Sequence, residues 1–102
     1  MYKIIYRSSV WLDLDEIVTY INTELHAPKA AERLLTELDG LKELIAEHPY
    51  MYRAYESVLT LSESYRIAQL RNFVLFYTVD EQTETVHFCR VIYGRRDFDP
   101  LL

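Results

Sequence analysis

A chain of 102 residues, half of them apolar and with only two glycines and three prolines, can build one compact core but not two; a single domain over residues 1–102 is expected. The formal net charge of −5 excludes a protein whose whole surface grips nucleic acid, because phosphate binding draws on accumulated lysine and arginine. Neither a basic-then-apolar leader nor an apolar run near the ~18 residues of a membrane span occurs, so the expected setting is the cytoplasm, without a membrane partner.

Tyr2 to Tyr6 reads as an opening strand, being short, aromatic and branched. Ser8 or Ser9 then offers a helix N-cap, with Asp13, Asp15 and Glu16 in the early turns, where carboxylates favour the positive end of the helix dipole. A helix is predicted from about Ser9 to Leu25. Its apolar stripe is Val10, Leu14, Ile17, Val18, Ile21 and Leu25, which leaves Asp13, Asp15, Glu16 and Thr19 outside. After His26-Ala27, Pro28 suits the first position of a second helix running to about His48. Its stripe of Ala31, Leu34, Leu38, Leu41 and Ile45 faces a core, and so short a link makes the pair an antiparallel hairpin. The heptad-like steps of that stripe also admit a coiled-coil dimer, but the run is too brief to favour it.

Pro49 closes the helix, and residues 50–64 follow neither period, apart from a short strand that could form around Val58 to Leu61. Strands are then predicted over Tyr65 to Arg71, Phe73 to Val79 and Thr85 to Tyr93. Asn72 alone separates the first two, which calls for a tight hairpin borrowing a neighbour. The run Phe73 to Val79 is apolar on both faces, as a central strand covered on both sides would be. The fold class is therefore α+β: an N-terminal strand, a helical hairpin, then a three-stranded antiparallel meander, all strands in one sheet.

The charges divide unevenly. Residues 1–64 hold eleven acids and six bases, a balance of −5, whereas residues 65–102 hold five of each. All five bases of the last third are arginines: Arg66, Arg71, Arg90, Arg95 and Arg96. Arginine suits bidentate pairing with carboxylates or phosphates. Alternation places Arg66 beside Ala68 and Leu70, and Arg90 beside Val86, Phe88 and Ile92. The plainer reading, favoured for Arg66 and Arg90, makes them half-buried arginines held by carboxylates such as Glu56, Glu63 or Asp97. Arg95 and Arg96 follow a strand end and should be exposed; a functional reading sets all four arginines on one concave anion-recognition surface. Tyr50, Tyr52 and Tyr55 cluster with Met51 and Arg53, a composition enriched at binding surfaces, although a loop packing its aromatics on the sheet explains them equally well. Cys89, the only cysteine, reads as a buried small hydrophobe. His26, His48 and His87 lack metal-ligand spacing, and no phosphate loop, serine elbow or calcium loop occurs. No metal and no cofactor is expected.

Tyr2-Lys-Ile-Ile-Tyr6, Leu14-Asp-Glu-Ile17, Tyr20-Ile21, Pro28-Lys-Ala-Ala31, His48-Pro49, Tyr65-Arg66, Val74-Leu-Phe-Tyr-Thr-Val79 and Arg90-Val-Ile-Tyr-Gly-Arg-Arg-Asp97 occur in the order seen in RelE/ParE toxins, and the chain resembles that superfamily over nearly its full length. The resemblance implies the toxin half of a type II toxin–antitoxin system, neutralised by a cognate antitoxin whose C-terminal segment wraps it. Operator DNA is then bound only through the antitoxin. RelE-like members cut mRNA on the ribosome, and ParE-like members inhibit DNA gyrase without a known catalytic residue.

For a nuclease the candidate catalytic residues are Arg66, Arg90, Tyr93 and Arg96. Two of the positions that usually carry charge fall on Ala68 and near Val74, and no tyrosine or histidine lies in Phe98–Leu102. With the acidic charge balance, this favours the gyrase inhibitor over the mRNA endoribonuclease; an inactive antitoxin-binding relative is a third reading. The expected target-binding residues are Arg66, Arg90, Arg95 and Arg96, and the expected antitoxin-binding residues are Tyr50, Tyr52, Arg53 and Tyr55.

Overall fold

A computed structural model describes residues 1–57, 61 and 63–102. The elements in chain order are β1 (Lys3–Tyr6), α1 (Ser8–Thr23), α2 (Pro28–Glu47), β2 (Arg66–Leu70), β3 (Phe73–Asp80), β4 (Thr85–Tyr93) and a 3-10 turn at Asp99–Leu101. The four strands form one sheet in the order β1-β4-β3-β2. β1 lies parallel to β4, and β2, β3 and β4 form the antiparallel meander, which gives the expected α+β architecture. The short strand expected around Val58 to Leu61 falls largely outside the described residues.

Both helices follow from their apolar periods, with instructive differences at the ends. The stripe of α2 is buried throughout, and Ala31, Leu34, Leu38, Leu41 and Ile45 all enter the main core. The coiled-coil alternative therefore loses its seam to the chain's own interior. In α1, by contrast, neither serine caps the helix. Arg7 holds the cap position without a side-chain capping bond, and Ser9 turns its hydroxyl to the Cys89 carbonyl at 2.5 Å. No carboxylate stands in the first turn, so the expected dipole effect of Asp13, Asp15 and Glu16 does not arise. The helix stops at Thr23, and Leu25 is exposed, because His26 takes a left-handed φ of 51° at the turn into α2.

β3 is the central strand that its two-sided apolar sequence implies. On one face Leu75 and Tyr77 join Ala68, Leu70, Val86 and Phe88 under the helices. On the other, Val74 and Phe76 join Tyr65, Cys89 and Ile92 beneath an irregular roof that includes Tyr55, Phe98, Leu101 and Leu102. Tyr77 is fully buried and donates its hydroxyl to the Pro49 carbonyl at 2.8 Å, which satisfies it inside the core; burial pushes that hydroxyl's pKa up to about 12. Cys89 is buried as expected, and the same effect raises its thiol.

Two local features shape the distal end of the sheet. Arg71 and Asn72 turn the β2–β3 hairpin, with Arg71 at a left-handed φ of 53°. Gly94 donates its N–H to the Asn72 carbonyl at 2.8 Å, and a Cβ there would meet that oxygen at 3.1 Å. The glycine thus lets the end of β4 close on the hairpin turn. The second feature is a bulge in β4. Tyr77 pairs with Phe88 and Phe76 with Arg90, so Cys89 is an extra residue and the alternation changes phase.

Candidate functional site

The bulge overturns the expected placement of Arg90 beside Val86 and Phe88. Opposite Phe76, Arg90 shares its face with Ile92 and the second core rather than with the helix-covered core. Its guanidinium reaches across the edge of the sheet. Nε and Nη2 donate to the two carboxylate oxygens of Asp13 at 2.8 and 2.9 Å, and Nη1 donates to the Leu101 carbonyl at 2.5 Å. Asp13 also accepts the Val91 N–H at 3.0 Å.

The strand order explains this arrangement. β1 covers β4 only from Thr85 to Phe88, and beyond that point α1 meets the free strand edge: Ser9 takes the Cys89 carbonyl and Asp13 the Val91 N–H. Asp13 is expected outside the apolar stripe, yet its side chain is only 12% exposed. A signal for this exists in the sequence, since Asp13 stands three residues after Val10 and four before Ile17, on the buried face. The carboxylate in turn holds the arginine in its charged form and raises its pKa.

Around this pair lies a cleft of about 860 Å³ between α1 and the distal ends of β3 and β4. Ile17, Ile21, Leu34, Phe73 and Val91 contribute apolar surface, and Arg71, Arg90, Tyr93, Arg96 and Leu101 also line it. The structure therefore unites Arg90, Tyr93 and Arg96, and adds Arg71, which pairs with Glu37 at 2.9 Å at the mouth. Arg95 is exposed but does not line the cleft. Arg66 is elsewhere. It pairs with Tyr77 while Tyr93 pairs with Phe73, four residues along β3, or about 13 Å at the usual strand rise.

Arg66 is also not held by a carboxylate. Its Nη1 donates to the Tyr52 carbonyl at 2.6 Å, and its guanidinium lies 4.8 Å from the centre of the Tyr50 ring. Glu63, expected to hold Arg66 or Arg90, instead takes both Nη groups of Arg7 at 2.7 and 2.6 Å, and this pairing lowers the Glu63 pKa. Charge counting cannot find a partner that is a carbonyl and a ring.

The tyrosine loop divides. Tyr52 packs on the main core and Tyr55 on the second, whereas Tyr50, Met51 and Arg53 stay exposed. Tyr55 donates its hydroxyl to Asp99 at 2.5 Å, which pushes its pKa up to about 12. Among the described residues, no group of three or more His, Cys, Asp or Glu is placed to hold a metal ion, and no helix is long and apolar enough to cross a membrane.

Residues 4–98 match the family described as the ParE toxin of the type II toxin–antitoxin system parDE. A solved structure, a metal-bound toxin from Helicobacter pylori, shares the fold with a TM-score of 0.55 at 19% identity, over 91% of this chain and 94% of that one. No curated protein matches.

Proposed function

The chain belongs to the ParE toxin family and is the toxin of a type II toxin–antitoxin system, and from that premise we propose that it inhibits DNA gyrase by binding, without catalysis of its own. The observation that carries this reading is the commitment of Arg90. Cleavage of RNA by a ribose 2′-hydroxyl needs a base, an acid and donors aimed at the phosphate. In the cleft, Asp13 already accepts three hydrogen bonds and Arg90 directs two of its three donor nitrogens to it, so Asp13 lacks the freedom that a base requires and Arg90 keeps at most one donor nitrogen for an anion, too few for a bidentate phosphate clamp. Among the described residues no histidine lines the cleft, and Arg66 is remote from it. Tyr93, Arg96 and Arg71 over an apolar floor make a recognition surface, and exposed Arg95 extends it.

The cognate antitoxin would draw on the exposed Tyr50 and Arg53, with Tyr52 and Tyr55 fixing the loop from inside, and operator DNA would be reached through the antitoxin. Action on gyrase implies a cytoplasmic protein. The test compares purified toxin in a gyrase supercoiling assay and in cell-free translation. Supercoiling should be inhibited while translation continues; mRNA cut at codon boundaries with supercoiling intact would overturn the reading in favour of a ribosome-dependent nuclease.

A further inference from the structure

The segment Phe98–Leu102 performs three tasks at once. Phe98, Leu101 and Leu102 roof the second core, with the Phe98 ring 5.0 Å from Phe76 and 6.0 Å from Tyr55. Asp99 ties the segment to the irregular chain opposite, accepting Tyr55 Oη at 2.5 Å and Ser57 Oγ at 2.7 Å. Leu101 forms part of the cleft wall and takes Nη1 of Arg90 on its carbonyl. The backbone turns tightly to do so, Leu101 N–H bonding to the Phe98 carbonyl at 2.8 Å. Most of the segment, residues 99–102, lies beyond the part of the chain that matches the family.

We propose that Phe98–Leu102 is an autoinhibitory strap: seated, it withholds one donor of Arg90 and narrows the cleft, and released, it opens both to the target. The inference rests on the reading of the cleft as the target surface. Three properties support a strap over a permanent roof. Its apolar side chains are only partly buried, unlike Phe76 beneath them, so lifting it disturbs less packing than moving any core element. Its own side-chain hydrogen bonds, among the described residues, run through one residue, Asp99, which accepts from Tyr55 and Ser57. Finally, the donor it covers belongs to a guanidinium that Asp13 keeps in place from the other side, so Arg90 stays oriented when Leu101 departs.

The experiment loosens the strap from each end, by Asp99→Ala and, more mildly, by Tyr55→Phe. Carboxypeptidase trimming of Leu102 and Leu101 reports release, growth arrest on induced expression reports potency, and the melting temperature reports the fold. We expect trimming about tenfold faster and arrest at several-fold lower induction, with Tyr55→Phe moving both in the same direction by less. Faster trimming with unchanged or weaker arrest, in variants that melt within a few degrees of the parent, would show a roof only and overturn the proposal. Trimming at the parental rate would overturn it as well, since Asp99 would then hold nothing. Failure of the underlying reading looks different: neither the parent nor either variant would inhibit gyrase supercoiling.

Discussion

The two faces of the sheet are closed by different means. Helices of 16 and 20 residues cover one, and their side chains interlock with Leu75, Tyr77 and Phe88 at zero exposure. Irregular chain and a five-residue tail cover the other, where polar ties from Tyr55, Ser57 and Arg90 supplement a smaller apolar contact. Area removed from water dominates the first face. On the second, a few hydrogen bonds decide whether the cover stays on. Stability belongs chiefly to one face, and adjustability to the other.

Substitutions on the two faces sharpen this contrast. Phe88→Ala on the helical side should cost about 3–5 kcal/mol, as buried phenylalanine truncations do, and urea unfolding should show a midpoint drop large enough to leave the protein partly unfolded at room temperature. Phe98→Ala on the opposite side should cost about 1–2 kcal/mol, because its ring is half-buried and the tail can settle. Equal losses at the two positions would break the comparison. Between them falls Asp13→Ala, which leaves the Arg90 guanidinium and the Val91 N–H without their acceptor. Breaking a fully buried pair costs about 3–5 kcal/mol. With Arg90 28% and Asp13 12% exposed, we expect about 2–3 kcal/mol, read as a lower thermal midpoint that Asp13→Asn restores only in part.

The smallest effect concerns pH. Hydrogen bonds from Tyr55 and Ser57 hold the Asp99 carboxyl below its ordinary pKa. A depressed folded-state value contributes stability that is fully present above the unfolded pKa and lost as pH falls through the folded one. The tail should therefore stay seated at neutral pH and detach only in acid below the ordinary aspartate range. The Phe98 ring resonances in an NMR titration would report it. Glu63, held down by Arg7, titrates in the same direction, so Asp99→Asn separates the two: movement of Phe98 at the same acid pH in that variant would assign the transition to Glu63.

Legibility in the sequence divides along the same line. The stripe of α2 and the two-sided apolar run of β3 can be read because each depends on a local pattern of apolar residues. The position of Asp13 on the buried face is readable but concealed by its charge. The bulge at Cys89 is not: it is a mismatch between two strands, and no feature of β4 alone announces it. Consequently the alternation that correctly groups Val86 with Phe88 misplaces Arg90 two residues later. The roof of the second core is equally hidden, because a Phe-Asp-Pro-Leu-Leu tail has no period, and its contacts reach 42 and 44 residues back to Ser57 and Tyr55. The cleft can be anticipated as an arginine cluster, yet only the register of β2, β3 and β4 determines that Arg71 enters it and Arg66 does not.

The pairing of β1 with β4, Lys3 beside Thr85 and Tyr6 beside Phe88, bears on how the protein is made. During synthesis the first strand leaves the ribosome long before its neighbour exists, and the apolar stripes of both helices must wait for the same late segment to cover them. Contacts so distant in sequence form slowly, and the uncovered chain is exposed to association meanwhile. Arg90, Tyr93 and Arg96 belong to or directly follow that last strand. A ribosome that stalls before β4 would thus release a chain with neither a finished sheet nor a cleft, so the arginine-lined surface cannot form until β4 has been made.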